Sequence, residues 1–176
     1  MHETSSFKHL NGQEQYIIEE LYRKYFFQNQ NELWYKEAQT KLDAIQKSSD
    51  MLVCAEDLGM VPDMVEDVLK SREILALQVQ RMPKTSKDNF THPKNAPYLC
   101  VVTPSTHDMS TLREWWEEDR NNTQEFYNKL LGQYGTAPFY CEPWISKEIV
   151  KQHLWSPAMW SVFLLQDLMF PVQKLP

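Results

Sequence analysis

Glu56 and Asp108 each stand at the close of a short apolar run, where a carboxylate is well placed to act on a substrate. The first run is Met51-Leu52-Val53-Cys54-Ala55, which stops at Glu56-Asp57. The second is Tyr98-Leu99-Cys100-Val101-Val102-Thr103, which closes on Pro104-Ser105-Thr106-His107-Asp108. Runs of this kind suit strands buried on both faces of a parallel sheet. The carboxyl ends of such strands line the active sites of parallel α/β folds, so acids placed there can converge on one substrate. Paired carboxylates suit glycoside chemistry: one, held protonated, donates to the leaving oxygen, and the other stays charged beside an oxocarbenium-like transition state. The competing reading of a strand-end acid is a cap on the helix that follows. For Asp57 and Asp63 that structural role is the expectation.

The elements around these acids follow from periodicity. Residues 12–48 read as two helices: Ile17, Leu21 and Tyr25, with Ile18 and Tyr22 beside them, form one apolar stripe, and Leu33, Ala38, Leu42 and Ile45 form another. The run 51–55 reads as a strand, a helix follows from Pro62 to about Leu69, and Ile74-Leu75-Ala76-Leu77-Gln78-Val79 reads as a second strand. A long polar loop with Pro83, Pro93 and Pro97 leads to the third strand, 98–103. Thr111 and Glu114 form a capping box for a helix carrying Trp115 and Trp116. A further helix covers Thr123 to Leu131, stopping at Gly132, and Ser146 and Ser156-Pro157 mark two more helix starts. The last apolar run, Val162-Phe163-Leu164-Leu165, fits helix and strand equally and leads into Gln166-Asp167-Leu168. Helices alternating with short buried strands indicate an α/β protein with a parallel sheet.

Composition narrows the function. Apolar residues are 42% and charged residues 24%, as in globular proteins, and the apolar runs are too short to span a bilayer. A formal charge of −6 without a Lys/Arg cluster argues against nucleic acid as a partner. The N-terminus has neither the basic segment nor the apolar core of a secretory signal, so cytoplasmic residence is expected, with no membrane partner. Cys54, Cys100 and Cys141 form no C-x-x-C pair, and two of them sit in strand-like runs, so they read as buried thiols; no metal site and no cofactor are implied. Most of the six tryptophans are expected in the core, although an acidic chain rich in aromatic rings also suits a sugar-binding cleft.

The motifs themselves are more specific. Ala55-Glu56-Asp57-Leu58-Gly59 resembles the G-E-D-L-G segment of the amylomaltase family, the 4-α-glucanotransferases of glycoside-hydrolase family seventy-seven. Ser105-Thr106-His107-Asp108 resembles that family's G-T-H-D segment on its seventh barrel strand, and Gln166-Asp167-Leu168 its Q-D-L-L segment on the eighth. Gln80-Arg81-Met82-Pro83-Lys84 and Arg113-Glu114-Trp115-Trp116 look like the larger, disproportionating branch. The resemblance covers about residues 3 to 168. It implies the second half, strands five to eight, of a TIM-type (β/α)8 barrel with helical insertions, so that 1–176 is a single partial catalytic domain and 12–48 a helical segment preceding the acid/base strand. It further implies retaining transfer between α-1,4-glucans such as maltose, maltooligosaccharides and glycogen-like glycans. Glu56 would be the general acid/base, Asp108 the transition-state stabiliser, and His107 a donor or acceptor to a sugar hydroxyl. Met109 stands where many members have Asn, and Ala55 where Gly is usual.

The family's nucleophile is an aspartate in an R-x-D-H segment on strand four, and this chain contains no R-x-D. The tail from Met169 onward also lacks the N-x-P-G segment and terminal helix that the resemblance leads one to expect, so both ends read as truncated. An enzyme fragment, inactive alone, is the leading expectation. The alternatives are a non-catalytic α-glucan-binding protein and a half that assembles with a separate N-terminal half.

Overall fold

A computed structural model describes residues 2–59, 61–62, 64–84 and 88–169; the tail beyond Met169 lies outside them. The chain divides into two compact units, Met1–Met51 with Pro62–Val68, and Leu52–Val61 with Leu69–Pro176.

The first unit is helical. Thr4 caps a short helix α1 (Ser5–Lys8). Asn11 opens α2 (Gly12–Lys24) through a reciprocal capping box: its side chain accepts from the Glu14 N–H, and the Glu14 carboxylate accepts from the Asn11 N–H at 2.9 Å. The two helices expected over 12–48 run together, because a π-helical turn (Tyr25–Asn29) carries α2 into α3 (Gln30–Ser48) without a break. Their apolar stripe has the right spacing, yet Ile17, Leu21, Tyr22, Tyr25, Phe26 and Trp34 are exposed, and along α1 to α3 only Phe7 is buried. Periodicity fixes which residues share a helix face, while burial depends on what else covers it. No helix among the described residues is long and apolar enough to cross a membrane.

The second unit holds a three-stranded parallel sheet, in the order β1 (Ala76–Val79), β2 (Cys100–Thr103), β3 (Trp160–Ser161). Leu77 pairs with Val101 and Val79 with Thr103; Val101 in turn pairs with Trp160. The opposite face carries Ala76, Cys100 and Val102, packed with Ala96 and Ala158. Helix α4 (Met64–Ser71) precedes β1; Asp63, expected in its first turn, lies outside the described residues.

The strand expected over 51–55 is reduced to one parallel bridge, Cys54 to Leu75. Leu75 N–H donates to Val53 O at 3.1 Å and Ala55 N–H to Leu75 O at 2.8 Å. The next rung would use the Leu77 N–H, but that group donates to the Asp57 carboxylate at 2.8 Å instead. A side-chain acceptor therefore ends the ladder. Asp57, expected as a helix cap, is instead a buried tie to β1, and its other oxygen pairs with Lys84.

Three helices pack beside the sheet. The Thr111–Glu114 capping box opens α5 (Leu112–Glu118) as expected. Helix α6 (Arg120–Lys129) starts before Thr123, since Asp119 is its cap and the Thr123 hydroxyl bonds back to Trp116 O at 2.7 Å. Helix α7 (Pro143–Leu154) likewise begins earlier than Ser146, with Pro143 in the first turn, where its missing N–H costs nothing. Ser156-Pro157 starts no helix: the Ser156 hydroxyl donates to His153 O at 2.7 Å and closes α7. The core joins Leu112 and Trp116 of α5, Phe126 of α6, Ala137, Cys141, and Ile145 and Ile149 of α7. After β3, Gln166-Asp167-Leu168 lies in a short helix α8 (Leu165–Met169), rather than on a strand.

Two compositional expectations are corrected. Of the tryptophans only Trp116 is buried; Trp115 and Trp144 are half-buried, and Trp34, Trp155 and Trp160 are exposed. Cys54 is exposed, whereas Cys100 and Cys141 are buried. Burial pushes both of these thiols up to about 11. At neutral pH and without denaturant, one thiol should therefore react quickly with an aromatic disulfide reagent and two only after unfolding. Rapid reaction of all three in the folded chain would contradict this packing.

Candidate functional site

The site residues all belong to the second unit. Glu56 follows the Cys54 bridge and, if that register is continued, stands level with Leu77 of β1. Its carboxyl is exposed. His107 and Asp108 lie in the loop that leaves the end of β2, and both are exposed. His107 Nε2 is 3.3 Å from Asp108 Oδ2. The loop begins with a local brace, Thr103 Oγ1 donating to Ser105 O at 2.6 Å, and contains a turn in which Met109 N–H donates to Thr106 O at 3.2 Å.

Beside this loop is a concavity of about 230 Å³. Leu77, Val101, Val162 and Phe163 give it apolar walls, while Thr103, Thr106 and His107 add polar groups at one side. Apolar walls with a few convergent polar groups suit a ligand with one greasy face and a hydroxylated rim. The structure thus joins His107 with Asp108 and sets His107 on the concavity. Glu56 and Asp108 do not line it, and both are exposed.

The motifs that contain Arg81 and Asp167 gave no sign that these two residues hold the loop. Arg81, just past β1, is buried and points its guanidinium across to the loop after β2. Its Nε donates to Pro104 O at 2.9 Å, and its Nη2 to Ser105 Oγ and Ser110 O, each at 2.7 Å. The guanidinium lies 5.0 Å from the Trp115 ring centre. Burial pulls Arg81 down to about 10, opposed by the negative charges of Asp167 and Glu118. Asp167, also buried, accepts from Leu112 N–H at 2.9 Å. The available signal was an arginine at the end of an apolar strand and an aspartate after an apolar run, both out of place unless paired.

Parallel strands, helices beside the sheet and polar groups gathered in the loops that follow the strands define a parallel α/β protein with a strand-end site. The sequence profile described as 4-alpha-glucanotransferase matches residues 7–175, and the chain belongs to that family of glycosyl-transferring enzymes. It is 41% identical over 167 residues, 95% of its length, to 4-alpha-glucanotransferase DPE2 of Oryza sativa subsp. japonica, but spans 18% of that relative. It is also 33% identical over 105 residues to the 4-alpha-glucanotransferase of Chlamydia trachomatis serovar D, matching 58% of this chain and 19% of that one. The fold is similar to that of the amylomaltase from Streptococcus agalactiae, solved in complex with acarbose, with a TM-score of 0.57 and 16% identity. That match covers 75% of this chain and 26% of the amylomaltase. The chain thus spans about a fifth of the length of the curated relatives it matches.

Proposed function

We propose that this chain supplies the acid/base portion of a retaining 4-α-glucanotransferase site and corresponds to strands five to eight of a TIM-type barrel. One observation carries the reading: the Cys54 segment, β1, β2 and β3 adjoin in sequence order and all run parallel, with Glu56 and the His107–Asp108 pair following strands in that one direction. That is the order of consecutive barrel strands. The exposed Trp160 and Val162 at the β3 side suit a sheet that continues.

On this reading Glu56 protonates the glycosidic oxygen and later deprotonates the acceptor hydroxyl, Asp108 stays charged beside the oxocarbenium-like centre, and His107 bonds a sugar hydroxyl. The substrates are α-1,4-glucans: maltose, maltooligosaccharides and glycogen-like glycans in the cytoplasm. A glycosyl-enzyme intermediate needs a nucleophile that the R-x-D-H segment would carry, and this chain has no R-x-D. The chain alone is therefore inactive and works only with the sequence that completes the barrel. The test is glucose release from maltose by the purified chain and by a chimera, in which the chain replaces the matching segment of the rice relative. Turnover by the chimera alone is expected. Release by the chain alone, or a folded but inert chimera, would overturn the proposal.

A further inference from the structure

We propose that Arg81, acting with Asp167, is a positioning residue that holds the His107–Asp108 loop in place. The inference rests on the reading of His107 and Asp108 as site residues. The three carbonyl and hydroxyl acceptors of Arg81 fall on either side of Thr106–Met109: Pro104 and Ser105 before it, Ser110 after it. The span between them is exposed at His107 and Asp108, and its backbone turn is closed by the Met109-to-Thr106 bond of 3.2 Å. Such a loop has little burial of its own to order it.

The hold comes from two different elements. Arg81 reaches from the end of β1, and Asp167 from α8 fixes the Leu112 N–H, so the segment is tied at Pro104, Ser105, Ser110 and Leu112 by one buried cation and one buried anion. The Trp115 ring 5.0 Å away limits how the guanidinium plane can turn. Among the described residues Arg81 Nη1 and Asp167 Oδ2 have no hydrogen-bond partner. An apolar pair would fill the same space without that desolvation cost, so stability alone does not explain the charges. A planar fork of donors does explain Arg81, since three acceptors in fixed directions match a guanidinium and a flexible ammonium does not.

A purely structural arginine would loosen the whole unit when replaced; a positioning one would loosen the loop. The experiment compares Arg81→Lys with the parent chain by amide hydrogen exchange and by the ring resonances of His107. Met109 exchange should accelerate at least about tenfold, and the His107 ring signals should shift, while amides of α7 stay within about twofold. Unchanged Met109 exchange and His107 signals would overturn the proposal, as would a uniform acceleration through the unit. If Arg81→Lys does not fold, Ser105→Ala removes one acceptor and leaves Arg81 in place; unchanged His107 signals there would also overturn it. In the chimera, Arg81→Lys should lower kcat more than about tenfold with KM within about threefold. A loop loosened in the chain with no change in chimera kcat would overturn positioning. A chimera inert even with Arg81 intact would overturn the glucanotransferase reading while leaving the loop result standing.

Discussion

Replacing Glu56 by glutamine in the active chimera should lower glucan transfer by roughly 10²–10⁴-fold, the contribution of a positioned general acid–base. Glutamine keeps the size and a hydrogen-bonding tip but has no acidic proton to give the leaving oxygen. The loss should depend on the leaving group. With maltosyl fluoride as donor, fluoride departs without protonation, so formation of the glycosyl-enzyme should be largely restored while breakdown by a sugar acceptor stays slow. Asp108→Asn should behave differently, because a charge beside the developing oxocarbenium is needed whatever departs, and fluoride should not restore it. The burst of fluoride release measures formation of the glycosyl-enzyme, and steady-state rates with the two donors measure complete turnover. A Glu56→Gln chimera within tenfold of its parent on maltose would remove Glu56 from the mechanism.

The second large effect is on folding. Trp116 is fully buried, its indole N–H donates to Pro138 O at 3.0 Å, and it joins α5 to Phe126, Ile145 and Ile149. Trp116→Ala leaves a cavity among side chains tied to three helices, while Pro138 O keeps its bond from Arg120 Nη1 at 2.9 Å. Large-to-small changes at such sites cost about 3–5 kcal/mol. Against a domain stability of about 5–15 kcal/mol, that removes much of the margin. Trp155, exposed at the end of α7, is the control: Trp155→Ala should shift stability by less than about 0.5 kcal/mol. Urea midpoints for both variants check the pair. A Trp116→Ala chain losing under 1 kcal/mol would mean that α5 is not held by this core.

The contrast between these two tryptophans shows where residue types stop being informative. Both are large and apolar, and both lie in or beside helices. Only Trp116 meets facing residues from α6 and α7, and no local pattern in the sequence says so. The same holds for unit one, where the stripe of Ile17, Leu21 and Tyr25 was legible and its exposure was not. For Cys54 the apolar run predicted burial, and its side chain is exposed although its backbone segment pairs with Leu75.

The sequence by itself determined the parallel α/β class, the capping box at Thr111, and the motifs around Glu56, His107 and Asp108 that resemble the family's segments. Those are short-range properties: run length, period and the identity of neighbours along the chain. The tertiary structure alone decided that Asp57 is a tie to β1, that Arg81 and Asp167 grip the loop carrying His107 and Asp108, and that Glu56 is left open to solvent. Each depends on groups 20 to 55 residues apart meeting within hydrogen-bond distance, or failing to be covered. Glu56 and Asp108, which first marked the chain as one that could act on glycosides, are set by local motif; the groups that hold Asp108's loop in place are set by the fold.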